Sequence, residues 1–198
     1  MAAEAVPDQV LAGLARAAAR GDRDAGAAFV RATQRDVMRF LSGLAHRRDV
    51  EDLTQETFLR AFRALPTFAG RSTVRTWLLA IARRVAADAI RHASSRPRLV
   101  TPPDWHSAAE PRSLRLEEEH ALYDLIAGLQ PQRREAFVLT QIAGFSYAEA
   151  AQMCDCPVGT IRSRVARARE DLVALLDETR TGAPTAIGEP RGRSRFPL

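Results

Sequence analysis

The sequence predicts an all-α protein: two small helical domains joined by a flexible linker. Apolar residues recur three and four positions apart along most of the chain, and no alternating run is long enough to compete as a strand. The pattern lapses between His92 and Arg115, where Pro97, Pro102, Pro103 and Pro111 interrupt a polar stretch. A length of 198 residues suffices for two compact units with short connectors.

Asp8 opens a first helix with Val10, Leu11, Leu14 and Ala18 on its inner side, and Gly21 ends it. A second runs from about Asp24 to Ala45, turning Phe29, Val30, Val37, Phe40, Leu41 and Leu44 inward. The third starts near Asp49 and buries Val50, Leu53, Thr57, Phe58 and Ala61. After a loop from Pro66 to Arg71, Ser72 is placed to cap a fourth helix. Its Val74, Trp77, Leu78, Ile81, Ala82, Val85 and Ala89 keep the three-four spacing of one buried stripe. These four helices are expected to form one bundle over residues 8–92, followed by a linker over 93–114. A second helical domain occupies 115–178, with its helices from about Leu116 to Asp177. The remainder, 179–198, is rich in Gly, Pro and Arg and is expected to be a disordered tail.

The net charge of +5 points to a polyanionic partner. All 29 basic residues are arginine, a bias that a GC-rich coding sequence explains. Its chemical consequence is that every such cation can make planar, bidentate contacts to phosphate or guanine. No stretch approaches the ~20 apolar residues of a membrane span, so no membrane insertion is expected. The first seven residues lack the basic and apolar regions of a signal peptide. Two cysteines only, Cys154 and Cys156, agree with a reducing, cytoplasmic location. With no further Cys and no nearby His they fall short of a zinc site, and neither a metal nor another cofactor is expected. His46, His92, His106 and His120 form no spaced constellation and no glycine-rich phosphate loop is present, so enzymatic function is not expected.

The strongest local pattern is SYAEAAQMCDCPVGTIRSRVARARE, Ser146 to Glu170. Ser146 and Glu149 have capping-box spacing and start a short helix through Met153. Asp155, Cys156 and Pro157 break it, and Pro157 suits the first turn of the next helix. At 100° per residue, Ile161, Val165, Ala168 and Leu172 share a narrow inner face. Ser163, Ala166 and Arg167 point away, with Arg162 and Arg169 on one flank and Arg164 on the other. An amphipathic helix with a cationic outer face, preceded by a short capped helix, is how a recognition helix enters a major groove. Arg162 and Arg167 are the candidates for base edges, Arg164 and Arg169 for phosphates. The amides at Gly159 and Thr160 can also meet a backbone phosphate. The apolar stripe is needed for the domain core, which leaves no large anchors for a membrane surface.

The other motif is DVEDLTQETFLRAF, Asp49 to Phe62. Asp49, Asp52 and Glu56 fall on one side of a helix, opposite its apolar side. In an otherwise basic protein, such a face suits docking of a basic partner. A solvated acidic surface is the plain alternative.

DVEDLTQETFLRAF, then TWLLAIARRVAADAIR (Thr76 to Arg91), then GTIRSRVARAR (Gly159 to Arg169) together resemble the extracytoplasmic function (ECF) sigma factors, with the sigma-C-like group the nearest within that family. The resemblance covers about residues 8–178, in matching order and spacing. It implies a non-enzymatic subunit that binds core RNA polymerase, through its clamp coiled coil and flap, and directs initiation at promoter DNA. Asp49, Glu51, Asp52, Gln55 and Glu56 match the family's helix that docks on the clamp. The segment Phe68 to Arg91 matches the part that melts the −10 element, which makes Arg71, Arg75, Arg83, Arg84, Asp88 and Arg91 its candidate contacts. Gly159, Thr160, Arg162, Ser163, Arg164, Ala166, Arg167 and Arg169 match the −35 reader. Flipped bases need a pocket and cations more than a groove-reading helix. Trp77 lies on the apolar stripe, so core packing outweighs base stacking as its role. The chain departs from the family pattern at Arg84, where Asn is frequent, and at Ala166, where a larger residue is frequent; the family's base preferences do not carry over at these two positions. An anti-sigma factor, where one exists, is expected to cover the acidic helix and the recognition helix. The alternative is a polymerase-independent helix-turn-helix regulator with an N-terminal dimerisation or sensing bundle, against which the acidic helix and the Thr76 to Arg91 block argue.

Overall fold

The computed structural model of the protein describes residues 6–95 and 114–181, all of whose regular elements are helical. The expected linker and tail therefore lie almost wholly outside the described residues.

Helix α1 (Asp8–Ala19) ends as the sequence requires, at Gly21 with φ +93°. Asp22 then caps α2 (Arg23–Ser42), its carboxylate accepting the Ala25 amide at 2.9 Å. Leu11 is buried as expected, but Val10 is half exposed. Helix α2 stops at Ser42, three residues before the expected end. A 3₁₀ turn (Arg47–Asp49) leads into α3 (Val50–Ala64), and a second (Leu65–Thr67) precedes the loop to α4 (Val74–Ser95). The cap of α4 is Thr73 rather than the expected Ser72: the Thr76 amide donates to the Thr73 hydroxyl at 3.0 Å. Phe29, Val37, Phe40 and Leu41 of α2 pack with Phe58 of α3 and Val74, Leu78 and Val85 of α4 into one core. Three buried threonines, Thr33, Thr54 and Thr57, return their hydroxyls to the carbonyls four residues earlier at 2.7 Å, which makes their burial affordable.

The C-terminal unit contains α5 (Leu114–Ala127), α6 (Pro131–Phe137), α7 (Tyr147–Cys154) and α8 (Val158–Thr181). Pro131 occupies the first turn of α6, where its missing N–H leaves no gap. Helix α6 runs on into a π-helical turn (Val138–Ile142). Ile126, Leu139, Ile161 and Val165 are almost fully buried and hold this unit together.

The two units also pack on each other, which nothing in the sequence patterning foretells. A Cβ added at Gly43, just after α2, would lie 2.7 Å from a methyl carbon of Val138. Beside this close approach, Arg83 of α4 bridges Glu135 of α6 at 2.7 Å, both side chains about three-quarters buried.

Candidate nucleic-acid interface

Helices α7 and α8 form the expected helix-turn-helix. The capping box is complete: Ser146 Oγ accepts the Glu149 amide at 3.2 Å, and Glu149 accepts the Ser146 amide at 2.9 Å and its hydroxyl at 2.8 Å. These donations, the amide first, hold the Glu149 carboxyl below the usual range. Asp155 adopts a left-handed conformation (φ 49°) that ends α7, and the Cys156 amide reaches back to the Ala151 carbonyl at 3.1 Å.

Pro157 leads α8. Its carbonyl takes the Thr160 amide at 2.9 Å, so that amide is engaged within the helix and is not open to a phosphate as expected; Gly159 is exposed. Ile161, Val165 and Ala168 are buried and Leu172 half-buried, while Arg162, Ser163, Ala166, Arg167 and Arg169 are exposed. The four arginines differ in their surroundings. Arg164 is half-buried, its guanidinium 3.8 Å from the Cys156 sulfur, and Arg169 donates to the Gln141 side chain at 2.8 Å. Arg162 and Arg167 make no hydrogen bond or ion pair among the described residues. The two arginines expected at base edges are thus the two without partners.

The N-terminal candidates sit differently. Arg75 binds Asp36 of α2 at 3.0 Å, Arg83 binds Glu135, and Arg91 meets Asp88. Arg71 and Arg84 are exposed and carry no ion pair among the described residues. Asp88 is held well within the ionised range, mainly by Arg60, which donates to it at 2.7 Å. Trp77 is partly buried against Phe68, with ring centroids 4.9 Å apart, in keeping with a packing role.

On α3 and the turn before it, Asp49, Glu51, Asp52 and Gln55 are exposed and Glu56 half-buried. Two neighbours escaped the sequence reading. Leu59 is 53% exposed and falls on the same side as Asp52 and Glu56, seven and three residues away, which adds an apolar anchor to the acidic face. Arg60 bridges Glu56 at 2.7 Å and Asp88 at 2.7 Å, and so joins this face to α4. The seven- and three-residue offsets were the available signal for Leu59; the Arg60–Asp88 pair, 28 positions apart, had none.

Both cysteines are free and half-buried. Burial first, and Glu135 second, push the Cys154 thiol up to about 11, which leaves it protonated and unreactive at neutral pH. Among the described residues no group of His, Cys, Asp and Glu could hold a metal ion, and no helix is long and apolar enough to cross a membrane.

Comparison with known proteins agrees with this geometry. The family description Sigma-70 region 2 matches residues 29–96, and Sigma-70, region 4 matches residues 119–172. The chain is 50% identical to ECF RNA polymerase sigma factor SigC of Mycobacterium tuberculosis over 182 residues, covering 88% of this chain and 95% of that one. It is 36% identical to the ECF RNA polymerase sigma-E factor of Escherichia coli over 180 residues, 84% and 93% of the two chains. Among solved structures it is similar to CnrH in complex with the cytosolic domain of CnrY (29% identity, TM-score 0.62, 83% and 95% covered). It is also similar to the sigma factor RpoE of Bartonella quintana in complex with the anti-sigma factor NepR (29%, TM-score 0.58, 75% and 94%). With a region-2 bundle, a region-4 helix-turn-helix and relatives aligned over most of its length, this chain belongs to the ECF RNA polymerase sigma factors.

Proposed function

We propose that this sigma factor divides its work between its two units. Asp49, Glu51, Asp52, Gln55 and Glu56 dock on core RNA polymerase. Arg162 and Arg167 read −35 base edges while Arg164, Arg169 and the start of α8 meet phosphates. Arg71, Arg75, Arg83, Arg84, Asp88 and Arg91 hold the melted −10 strand. The protein acts in the cytoplasm, where its polymerase and promoter are, and catalysis stays with the core enzyme. Two similar structures hold CnrY and NepR; a comparable partner of this chain would cover α3 and α8.

The observation that carries this reading is the outer face of α8: exposed Arg162 and Arg167, without partners among the described residues, above a buried Ile161, Val165 and Ala168. Run-off transcription with core polymerase on a randomised promoter library tests it. Selection of two spaced elements, dependent on both proteins, is expected; tight binding of the chain alone to a palindrome would instead establish a polymerase-independent regulator. Exchanging Asp52 and Glu56 together for Arg should abolish retention of the chain by immobilised core polymerase while the melting transition persists. Normal retention would sink the docking assignment.

A further inference from the structure

Helix α2 buries one side, through Phe29, Thr33, Val37, Phe40 and Leu41. Its opposite side carries Arg31, Arg35 and Arg39, all exposed. At four-residue spacing these cations repeat about every 6 Å along the axis. None of them makes a hydrogen bond or ion pair among the described residues. One acid, Asp36, lies within three or four positions of any of them, and it is already bound to Arg75. Asp24 shares their side of the helix but sits seven residues before Arg31, about 10 Å away along the axis. Like charges at this spacing destabilise a helix, so three in a row with no ion pair among the described residues are a standing burden on α2.

The stripe also forms one wall of a groove of about 650 Å³, whose other wall includes Tyr123 and Gln141. The Asp36–Arg75 bond at 3.0 Å ties the middle of α2 to the start of α4, which places the stripe beside the arginines assigned to the −10 strand. Unpaired guanidinium groups at a regular repeat suit a regular row of anions, and a nucleic-acid strand supplies one through its phosphates.

We propose that the Arg31–Arg35–Arg39 face of α2 is a phosphate-binding surface that carries the melted promoter strand beyond the −10 contacts of α4. It rests on the sigma-factor reading above, and it adds a DNA contact on a helix to which that reading gives no role. Because the contact is with backbone alone, it contributes affinity and salt dependence but no base preference.

The test uses the full chain with core polymerase and a promoter selected from the library. Arg31, Arg35 and Arg39 are exchanged together for Gln, which keeps helix propensity and removes three charges. Each single-strand phosphate contact contributes about 0.7 to the slope of log affinity against log salt, so the slope of the open complex should fall by about 2. Affinity for core polymerase, measured without DNA, and the selected −10 and −35 sequences should be unchanged. An unaltered slope overturns the proposal, and so does a loss of core affinity with the slope intact, which would make the stripe a protein contact. A wild-type chain that forms no promoter complex at all would end the sigma-factor reading as well; a normal wild-type complex with no effect of the triple exchange would end this inference alone.

Discussion

On α8, Arg162 and Arg167 stand in solvent with no partner among the described residues, whereas on and around α4 three of the five candidate arginines are already bound to acids. The first surface is preorganised for its proposed role: a duplex would meet cations that give up only water. The second must exchange carboxylates for phosphates. For Arg75 and Arg91 the exchange is mild, since partly exposed ion pairs contribute about 0.2–1 kcal/mol each. Arg83 is another matter. Its partner Glu135 belongs to the other unit, both side chains are about three-quarters buried, and the pair lies near the close approach of Gly43 to Val138. Arg83 can turn to DNA only if the two units part. The surface assigned to duplex DNA stands ready, while the surface assigned to melted DNA is in part covered by the protein itself.

The sharpest way to break this comparison is on its exposed side. Arg167→Ala should reduce discrimination at one −35 position by about 1–3 kcal/mol, a factor of roughly 5 to 150, in transcription from the promoter library. Because Arg167 has no partner among the described residues to lose, the melting curve should stay within about 0.5 kcal/mol of wild type. An unchanged −35 preference removes the base-edge role. A fall in stability would show that the side chain is tied down after all, and the contrast with α4 would go with it.

The covered side can be opened at Gly43. Its backbone is right-handed helical (φ −79°, ψ −17°), so space alone excludes a side chain. Gly43→Leu should drive Val138 away, at an overpacking cost of about 1–3 kcal/mol. The two units should then separate, seen as a larger radius of gyration in solution scattering. A variant as compact as wild type would mean that the Arg83–Glu135 pair and its surroundings hold without that contact.

This asymmetry also explains how much could be read from the chain beforehand. The helix-turn-helix was legible because its information is local: a capping box four residues long, a breaker at Asp155 to Pro157, and a stripe repeating every three or four positions. The bundle of α1 to α4 was legible for the same reason, although Thr73 and not Ser72 caps α4, a choice between adjacent hydroxyls that only backbone geometry decides. Helix α6 and its π turn are short and interrupted, below the length at which periodicity speaks. Arg91–Asp88, three positions apart on one helix, was open to reading, but the long-range ion pairs of α4 were not. Arg75–Asp36, Arg60–Asp88 and Arg83–Glu135 join residues 39, 28 and 52 positions apart, and no pattern along a helix encodes such pairs. Sequence shows that an arginine is present; only packing shows whether it is available.

The smallest effect bears on Arg60, the cation that joins the acidic face of α3 to α4. Arg60→Met leaves Glu56 and Asp88 without their shared partner and should cost about 1 kcal/mol, since both ion pairs are partly exposed. Its signature is in the acid limb of the stability profile. Asp88, chiefly through Arg60, and Glu149, chiefly through the Ser146 amide, are both held below their ordinary range in the folded protein. A carboxyl lowered on folding contributes stability that is complete above its unfolded value of about 4 and is lost as pH falls through the folded value. Urea midpoints should therefore hold level from neutrality down to about pH 5, as far as these groups decide, and drop below it. Arg60→Met should flatten the part of that drop that belongs to Asp88, while the part belonging to Glu149 stays. Ser146→Ala should flatten the Glu149 part only in its smaller share, because it removes the hydroxyl half of the capping box on α7, keeps the amide that chiefly holds Glu149, and leaves α4 untouched. If Arg60→Met kept the wild-type acid limb, Arg91 alone would be holding Asp88, and the link between the acidic face of α3 and α4 would be an exposed contact of no consequence.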